Sequence, residues 1–175
     1  MPICSEINAS VLFDCDNPMV AGAGDNLYLI NKADWDDAVI TPDGSNPQLI
    51  TGIVLPSGKT SYKFEGKNYS VEPTQKLVKQ KYAEVYDHEV SFKVFVTDAA
   101  TKLQLEKMSS GSVVAIVENI HRGADGSSAF EIYGMAAGLE VQELERVLAD
   151  ADTQGAFSLI LRSSEIAKEP HLFYD

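Results

Sequence analysis

Carboxylates dominate the reactive side chains of the sequence, 26 of them against 14 lysines and arginines. Asp34, Asp36 and Asp37, and again Glu140, Glu143 and Glu145, are spaced as paired acids, and paired acids are what glycoside hydrolysis uses. That chemistry needs two carboxyls facing one cleft across a defined gap, which proximity along a chain does not supply, so solvated acids are expected. Asp150-Ala151-Asp152-Thr153-Gln154-Gly155 opens like a calcium loop, but its twelfth position is Leu161, where a bidentate glutamate is required. A tight turn between strands is expected there. Gly22-Ala23-Gly24-Asp25-Asn26-Leu27 begins like a dinucleotide fingerprint, lacks the third glycine and runs into a strand, so it too reads as a turn. His88, His121 and His171 lie far apart, with no His-x-x-x-His pair and no cysteine nearby, and each reads as a surface or turn histidine. Gly126-Ser127-Ser128 lacks the glycine-flanked elbow that presents a hydrolase nucleophile. Cys4 and Cys15 read as buried thiols; a disulfide between them stays open, and two cysteines cannot fill a four-ligand zinc site. The expectation is no catalytic residue, no metal site and no cofactor.

The elements that would position any site belong to one domain spanning residues 1–175, with an extended N-terminal arm and loops. The length and a 45% hydrophobic content are enough to bury a core. A net charge of −12 opposes wrapping around phosphate backbones, because DNA binding replaces counterions with lysine and arginine. The first basic residue is Lys32 and the longest apolar run is Val113–Val117. Neither a charged leader nor a membrane span is therefore expected, and a cytoplasmic site of synthesis is. Leu12-Phe13-Asp14-Cys15 loosely resembles a lipoprotein cleavage site, against which the acid before the cysteine argues.

Strand signals prevail. Leu27–Ile30, Leu49–Val54 and Val113–Val117 are β-branched or aromatic runs bounded by turn residues, and Val90, Phe92, Val94 and Val96 alternate with polar residues within His88–Val96. Ala129–Tyr133 and Phe157–Leu161 read as further strands. Tyr62–Phe64 and Asn68–Val71 flank Glu65-Gly66-Lys67, which predicts a hairpin with glycine at positive φ. The one clear helix runs from a capping Asp98 to about Ser109, with Leu103, Met108 and Ala99 as its apolar face. Residues 140–149 fit a helix or a strand equally. Asp34–Pro47 and His121–Ser128 read as exposed loops. The fold class is mainly β (α+β), a small sandwich or partly open barrel with one flanking helix.

Charge is segregated: residues 1–58 net −7, residues 59–81 net +4 and residues 82–175 net −9. The lysine island reads either as a solvated hairpin or as a patch that meets the acidic surface of another copy.

Several segments carry a resemblance. Val113-Val114-Ala115-Ile116-Val117-Glu118-Asn119, Phe130-Glu131-Ile132-Tyr133-Gly134, Gly138-Leu139, and Ala149–Gly155 leading into Phe157–Leu161 stand in the order seen in the tail tube proteins of long-tailed bacteriophages. Cys15-Asp16-Asn17-Pro18, Gly22 and Leu27–Asn31 are similar to the opening of those proteins, particularly those of phages and prophages of Bacteroides-type hosts. The resemblance implies a virion protein, assembled in the host cytoplasm, that forms hexameric rings stacked into a tube. Its partners would be further copies of itself, a tape measure and other tail proteins, and DNA passing through the lumen without specific binding. An acidic lumen repels phosphate, which suits that passage. Sheet edges closing a ring would turn an aggregation liability into assembly. On this reading Lys76, Lys79 and Lys81 contact acidic loops of a neighbouring copy, with Asp34, Asp36, Asp37 and Asp43 as the acids. The rivals are a tail terminator or a tube subunit of a phage-derived injection apparatus, and a monomeric glycan-binding sandwich using Trp35, Tyr62, Tyr69, Tyr82 and Tyr86.

Overall fold

The computed structural model describes residues 23–67, 69–79, 81, 84–96, 98–120, 129–149, 151, 152, 154–167 and 171–174, with the backbone alone for 129, 164–167, 171, 172 and 174. The fold is mainly β, of the α+β class. Its hub is β7 (Ser112–Asn119), whose run Val113–Val117 is buried on both faces. That explains why the run is continuously apolar instead of alternating. β1 (Ala23–Asn31) lies antiparallel along one edge of β7, pairing Leu27 with Val117 and Ile30 with Val114. The segment read as a turn at 22–27 is therefore strand from Ala23 onward, with a register shift between Ala23 and Leu27.

The other edge of β7 is shared by two strands. β8 (Ala129–Tyr133) pairs with Ala115–Glu118, and β9 (Leu139–Arg146) pairs with Ser112 and Val113. The turn between β8 and β9 has Gly134 at φ +79 and Gly138 at φ +81, and the Gly138 N–H donates to the Gly134 carbonyl at 2.8 Å. From this fork the sheet runs two ways. One wing continues through β11 (His171–Tyr174) and β3 (Leu49–Val54) to β2 (Val39–Pro42). The other continues through β10 (Phe157–Ala167) and β6 (Glu84–Val94) to β5 (Val71–Lys79). The path does not close into a barrel.

Two cores follow from strand alternation. Val113, Ala115 and Val117 join Leu27 and Leu29 against Val90, Phe92, Leu159 and Leu161, so the β6–β10 wing packs over β1 and β7 as a second layer. Val114 and Ile116 face the other way and join Ile30, Trp35, Ile50 and Ile132. Burying an apolar side chain of this size contributes about 1.5–3 kcal/mol, so the two cores together are the main force holding the layers.

Several expectations are corrected. The predicted hairpin around Gly66 does not form: β4 (Tyr62–Glu65) pairs with β1, and β5 pairs with β6. Gly66 serves close approach instead, since a Cβ there would lie 1.8 Å from Ser70 Oγ, and its N–H donates to the Asp25 carbonyl at 2.8 Å. The positive φ of that segment belongs to Tyr69. Phe64 reaches Phe92 edge to face, which ties β4 to the first core. Asp34–Pro47 is not a plain exposed loop: α1 (Lys32–Asp36) buries Asp34 and Trp35, and β2 follows. There are thus two helices among the described residues rather than one. Residues 139–146 are strand, which resolves the open reading of 140–149.

The second helix, α2 (Ala99–Ser109), has Asp98 as its N-cap, accepting the Thr101 N–H at 2.7 Å. Leu105 and Met108 enter the core, while Leu103 and Ala99, expected on the apolar face, are exposed. The Thr101 hydrogen bonds hold the Asp98 carboxyl below its usual range. A depressed carboxylate stabilises the fold above its unfolded value, near pH 4, and that contribution is lost as pH falls through the folded value. Asp98→Ala is expected to lower Tm by on the order of a few degrees at pH 7, with the difference from wild type vanishing in acid, as read by thermal melts across pH.

Candidate functional site

The open path leaves β2 and β5 each paired on one side only among the described residues. They are the two ends of the path; β4, paired only with β1, leaves a further open edge among the described residues. β5 has Pro73, Lys76 and Lys79 along it, and Lys81 follows it. Register places Val71, Pro73, Gln75, Leu77 and Lys79 on the same face as their cross-strand partners Phe92, Val90, His88, Tyr86 and Glu84. Lys76 is on the other face, with its cross-strand partner Asp87. The lysines therefore flank the open edge from both faces and do not form one patch. Lys79 lies 3.5 Å from Glu84 of the adjoining strand.

The predicted acids gather around β2. Asp37 precedes it and Asp43 follows it; Ile40 and Ile53 turn inward, while the paired Val39 and Val54 are 64% and 63% exposed. Asp43 Oδ1 accepts the N–H groups of Ser45 and Asn46, fixing the turn after the strand. Asp36 pairs with Lys32. Asp34 is not presented outward: it is buried, 2.8 Å from Lys59 Nζ, and accepts from Asn31 at 3.0 Å. The Lys59 ammonium, with Asn31, holds the Asp34 carboxyl below its usual range, and Asp34 in turn raises Lys59. Lys59 reaches it from a turn in which Gly58 takes φ +79.

Glu140, Glu143 and Glu145 are exposed along β9. Of the aromatics proposed for glycan binding, Trp35 is core, Tyr62 and Tyr69 are exposed, Tyr86 is half-buried, and Tyr82 lies outside the described residues. Cys4, Cys15, His121 and Gly126–Ser128 also lie outside them.

Two features escaped sequence reasoning. The first is a cavity of about 370 Å³ between β1, β5, β7 and β8. Val71 and Val117 form apolar walls, and Glu131 faces the same side of the ladder as its cross-strand partner Val117. The Glu131 carboxylate accepts from the Tyr133 hydroxyl on one oxygen and from Asn119 Nδ2, at 3.2 Å, on the other. Tyr133 is 3% exposed; burial, then the adjacent Glu131, push its hydroxyl well above the usual phenol value, so it remains a donor. Glu118 is directed to the opposite face, beside Phe130, and accepts from Asn26 at 3.1 Å. Glu118 and Glu131 therefore cannot act as a convergent acid pair. Tyr69 and Glu72 stand at the rim.

The second is His88, which is 3% exposed rather than on the surface. Its Nδ1 accepts the Gly134 N–H at 3.1 Å, its backbone N–H donates to Ser163 Oγ at 3.3 Å, and its ring meets Tyr133 edge to face. The only sequence signal was its place in register with Val90 and Phe92 on an alternating strand. The side chain of His171 is not described.

No group of three metal-ligating side chains occurs, and no helix is long and apolar enough to cross a membrane, among the described residues. Compared with family models, curated proteins and solved structures, the chain matches none.

Proposed function

We propose that this chain is a structural subunit that adds edge to edge with copies of itself into rings, and that the rings stack as the tail tube of a long-tailed bacteriophage. The observation that carries the reading is the unclosed sheet path: its two terminal strands are open on their outer sides, one flanked by lysines and the other by aspartates. A strand edge of one copy meeting the opposite edge of the next is a heterologous contact, and such contacts generate rings when the rotation closes. Lys76, Lys79 and Lys81 meet Asp37 and Asp43 of the neighbouring copy, with Asp36 alongside. Asp34 is removed from this set, because Lys59 already holds it. The remaining negative charge is available to a lumen through which DNA slides. The segment order described for the sequence supplies the family; ring number and the tail partners belong to the same proposal.

Electron microscopy of the concentrated protein across a salt series tests it. Hollow tubes with an axial repeat support the reading, single rings favour a terminator, and monomers at every concentration and salt count against self-assembly. Lys76→Glu/Lys79→Glu/Lys81→Glu is expected to abolish assembly while leaving Tm within a few degrees of wild type, because all three side chains are exposed. Normal tubes from that variant would rule out the edge contact.

A further inference from the structure

We infer that Asp43-Gly44 is a site of spontaneous covalent modification, at which the backbone isomerises through a succinimide to an isoaspartyl linkage. The pair lies in the connection between β2 and β3, where Gly44–Gln48 are all exposed. The reaction needs a carboxyl carbon as electrophile, the next backbone nitrogen as nucleophile, and room for the two to meet. Asp43 Oδ1 accepts the N–H groups of Ser45 and Asn46 at 2.8 and 2.9 Å. Both donors lie beyond Gly44, so the carboxyl is folded forward over the Gly44 amide, as aspartates do when they bond the backbone two residues on. The same donors draw electron density from the carboxyl and make its carbon the better electrophile. The turn holds this arrangement from both ends, with the Asp43 N–H donating to the Leu49 carbonyl at 2.8 Å and the Leu49 N–H to the Asn46 carbonyl at 3.0 Å. On the nucleophile's side, the Gly44 N–H makes no hydrogen bond among the described residues. A Cβ on Gly44 would meet nothing within 4 Å, so no neighbour shields the nitrogen, and glycine has the backbone freedom to rotate into the ring.

The step balances with water alone. With the carboxyl protonated, the Gly44 nitrogen gives up its proton as it bonds to Cγ of Asp43, the Cγ–OH bond breaks, and water leaves. Water then adds to either carbonyl of the succinimide and the C–N bond there opens. Opening at Cγ restores aspartate; opening at the main-chain carbonyl leaves the chain running through the side-chain carbon. The isoaspartyl chain is longer between β2 and β3 and carries its carboxylate directly on Cα, so the clamp on Ser45 and Asn46 is lost. The other described aspartates are followed by residues with side chains, which hinder the attack: Asp34 precedes Trp35, Asp36 precedes Asp37 and Asp37 precedes Ala38. Asp34 is also held by Lys59. The second Asp-Gly pair of the sequence, Asp125-Gly126, lies outside the described residues. If Asp43 meets a neighbouring copy as proposed above, unassembled subunits lose one acid of that contact with age; the chemistry itself does not depend on that reading.

Incubation of the intact protein in heavy-oxygen water at neutral pH, followed by tryptic digestion in ordinary water and fragmentation mass spectrometry, tests the inference, because each passage through the succinimide places heavy oxygen in the residue that formed it. The tryptic peptide Ala33–Lys59 carries Asp43 together with Asp34, Asp36 and Asp37, and is separate from Gly123–Arg146, which carries Asp125. Heavy oxygen and isoaspartate are expected at Asp43, accumulating within severalfold of the rate in the excised Ala33–Lys59 peptide, with Asp34, Asp36 and Asp37 at background. Gly44→Ala is expected to slow the labelling severalfold. That variant keeps the fold, since Gly44 does not take a positive φ and its Cβ meets open space. Labelling at Asp43 no greater than at Asp37, labelling in the folded protein many times slower than in the excised peptide, or equal labelling in Gly44→Ala and wild type, overturns the inference.

Discussion

Gly134→Ala is expected to unfold at a much lower denaturant concentration than Gly58→Ala, although both glycines have φ +79. The backbone cost is common to the two: a non-glycine residue in the left-handed region loses about 1–2 kcal/mol. Their surroundings differ. A Cβ on Gly58 meets nothing within 4 Å, whereas a Cβ on Gly134 would lie 2.7 Å from Leu139 Cγ and 3.1 Å from the Leu139 backbone nitrogen. Leu139 is fully buried in the first core and cannot swing aside into water. Forced repacking of this kind adds about 1–3 kcal/mol, so Gly134→Ala is expected to lose roughly 2–5 kcal/mol in all. That is a large share of the roughly 5–15 kcal/mol that holds an ordinary domain folded. Guanidinium titrations of the two variants, with equal m-values, read the difference directly. Equal midpoints would mean that the β8–β9 fork tolerates a side chain, contrary to its packing.

His88→Leu removes the acceptor for the Gly134 N–H, and leaving such a buried donor unsatisfied costs about 1–3 kcal/mol at pH 7. His88→Leu is therefore expected to unfold at a lower urea concentration than wild type, with an unchanged m-value, as read by urea titration at pH 7. Equal midpoints would show that the Gly134 N–H finds another acceptor when the imidazole is gone.

Much of the strand content could be read directly, and the reasons are local. Leu49–Val54 and Ala129–Tyr133 have the bounds expected of them because turn residues close both ends, and Val113–Val117 stood out because a strand buried on both faces has no polar positions. Pairing was not legible. Gly66 looked like a turn glycine because turns and close approaches select the same residue, and only the position of Ser70 separates the two. α1 has five residues, too short to show a helical period, so the buried Trp35 passed for part of a loop. In α2, Leu103 and Leu105 flank the same turn, and only the direction of the core decides that Leu105 is inside. β9 stayed ambiguous because residues 142–145 are exposed on both faces and so lack alternation. The lysine and aspartate sets were visible as charge segregation, but their placement along opposite open edges depends on the sheet order. The cavity draws on four strands distant in sequence, and no single window contains it.

The pairing of β1 with β7 also sets an order of events during synthesis. Ile30 finds Val114 only 84 residues further along the chain. At roughly 5–20 residues per second, a ribosome takes about 4–17 s to deliver that partner. Tyr62–Glu65 emerges sooner and can cover one edge of β1, and Trp35, Ile50, Val90 and Phe92 can reach its faces, but the other edge waits. A nascent chain halted before residue 112 therefore displays its most apolar early strand half-dressed, and slowing translation in that stretch lengthens the interval in which chaperones or like chains can seize it.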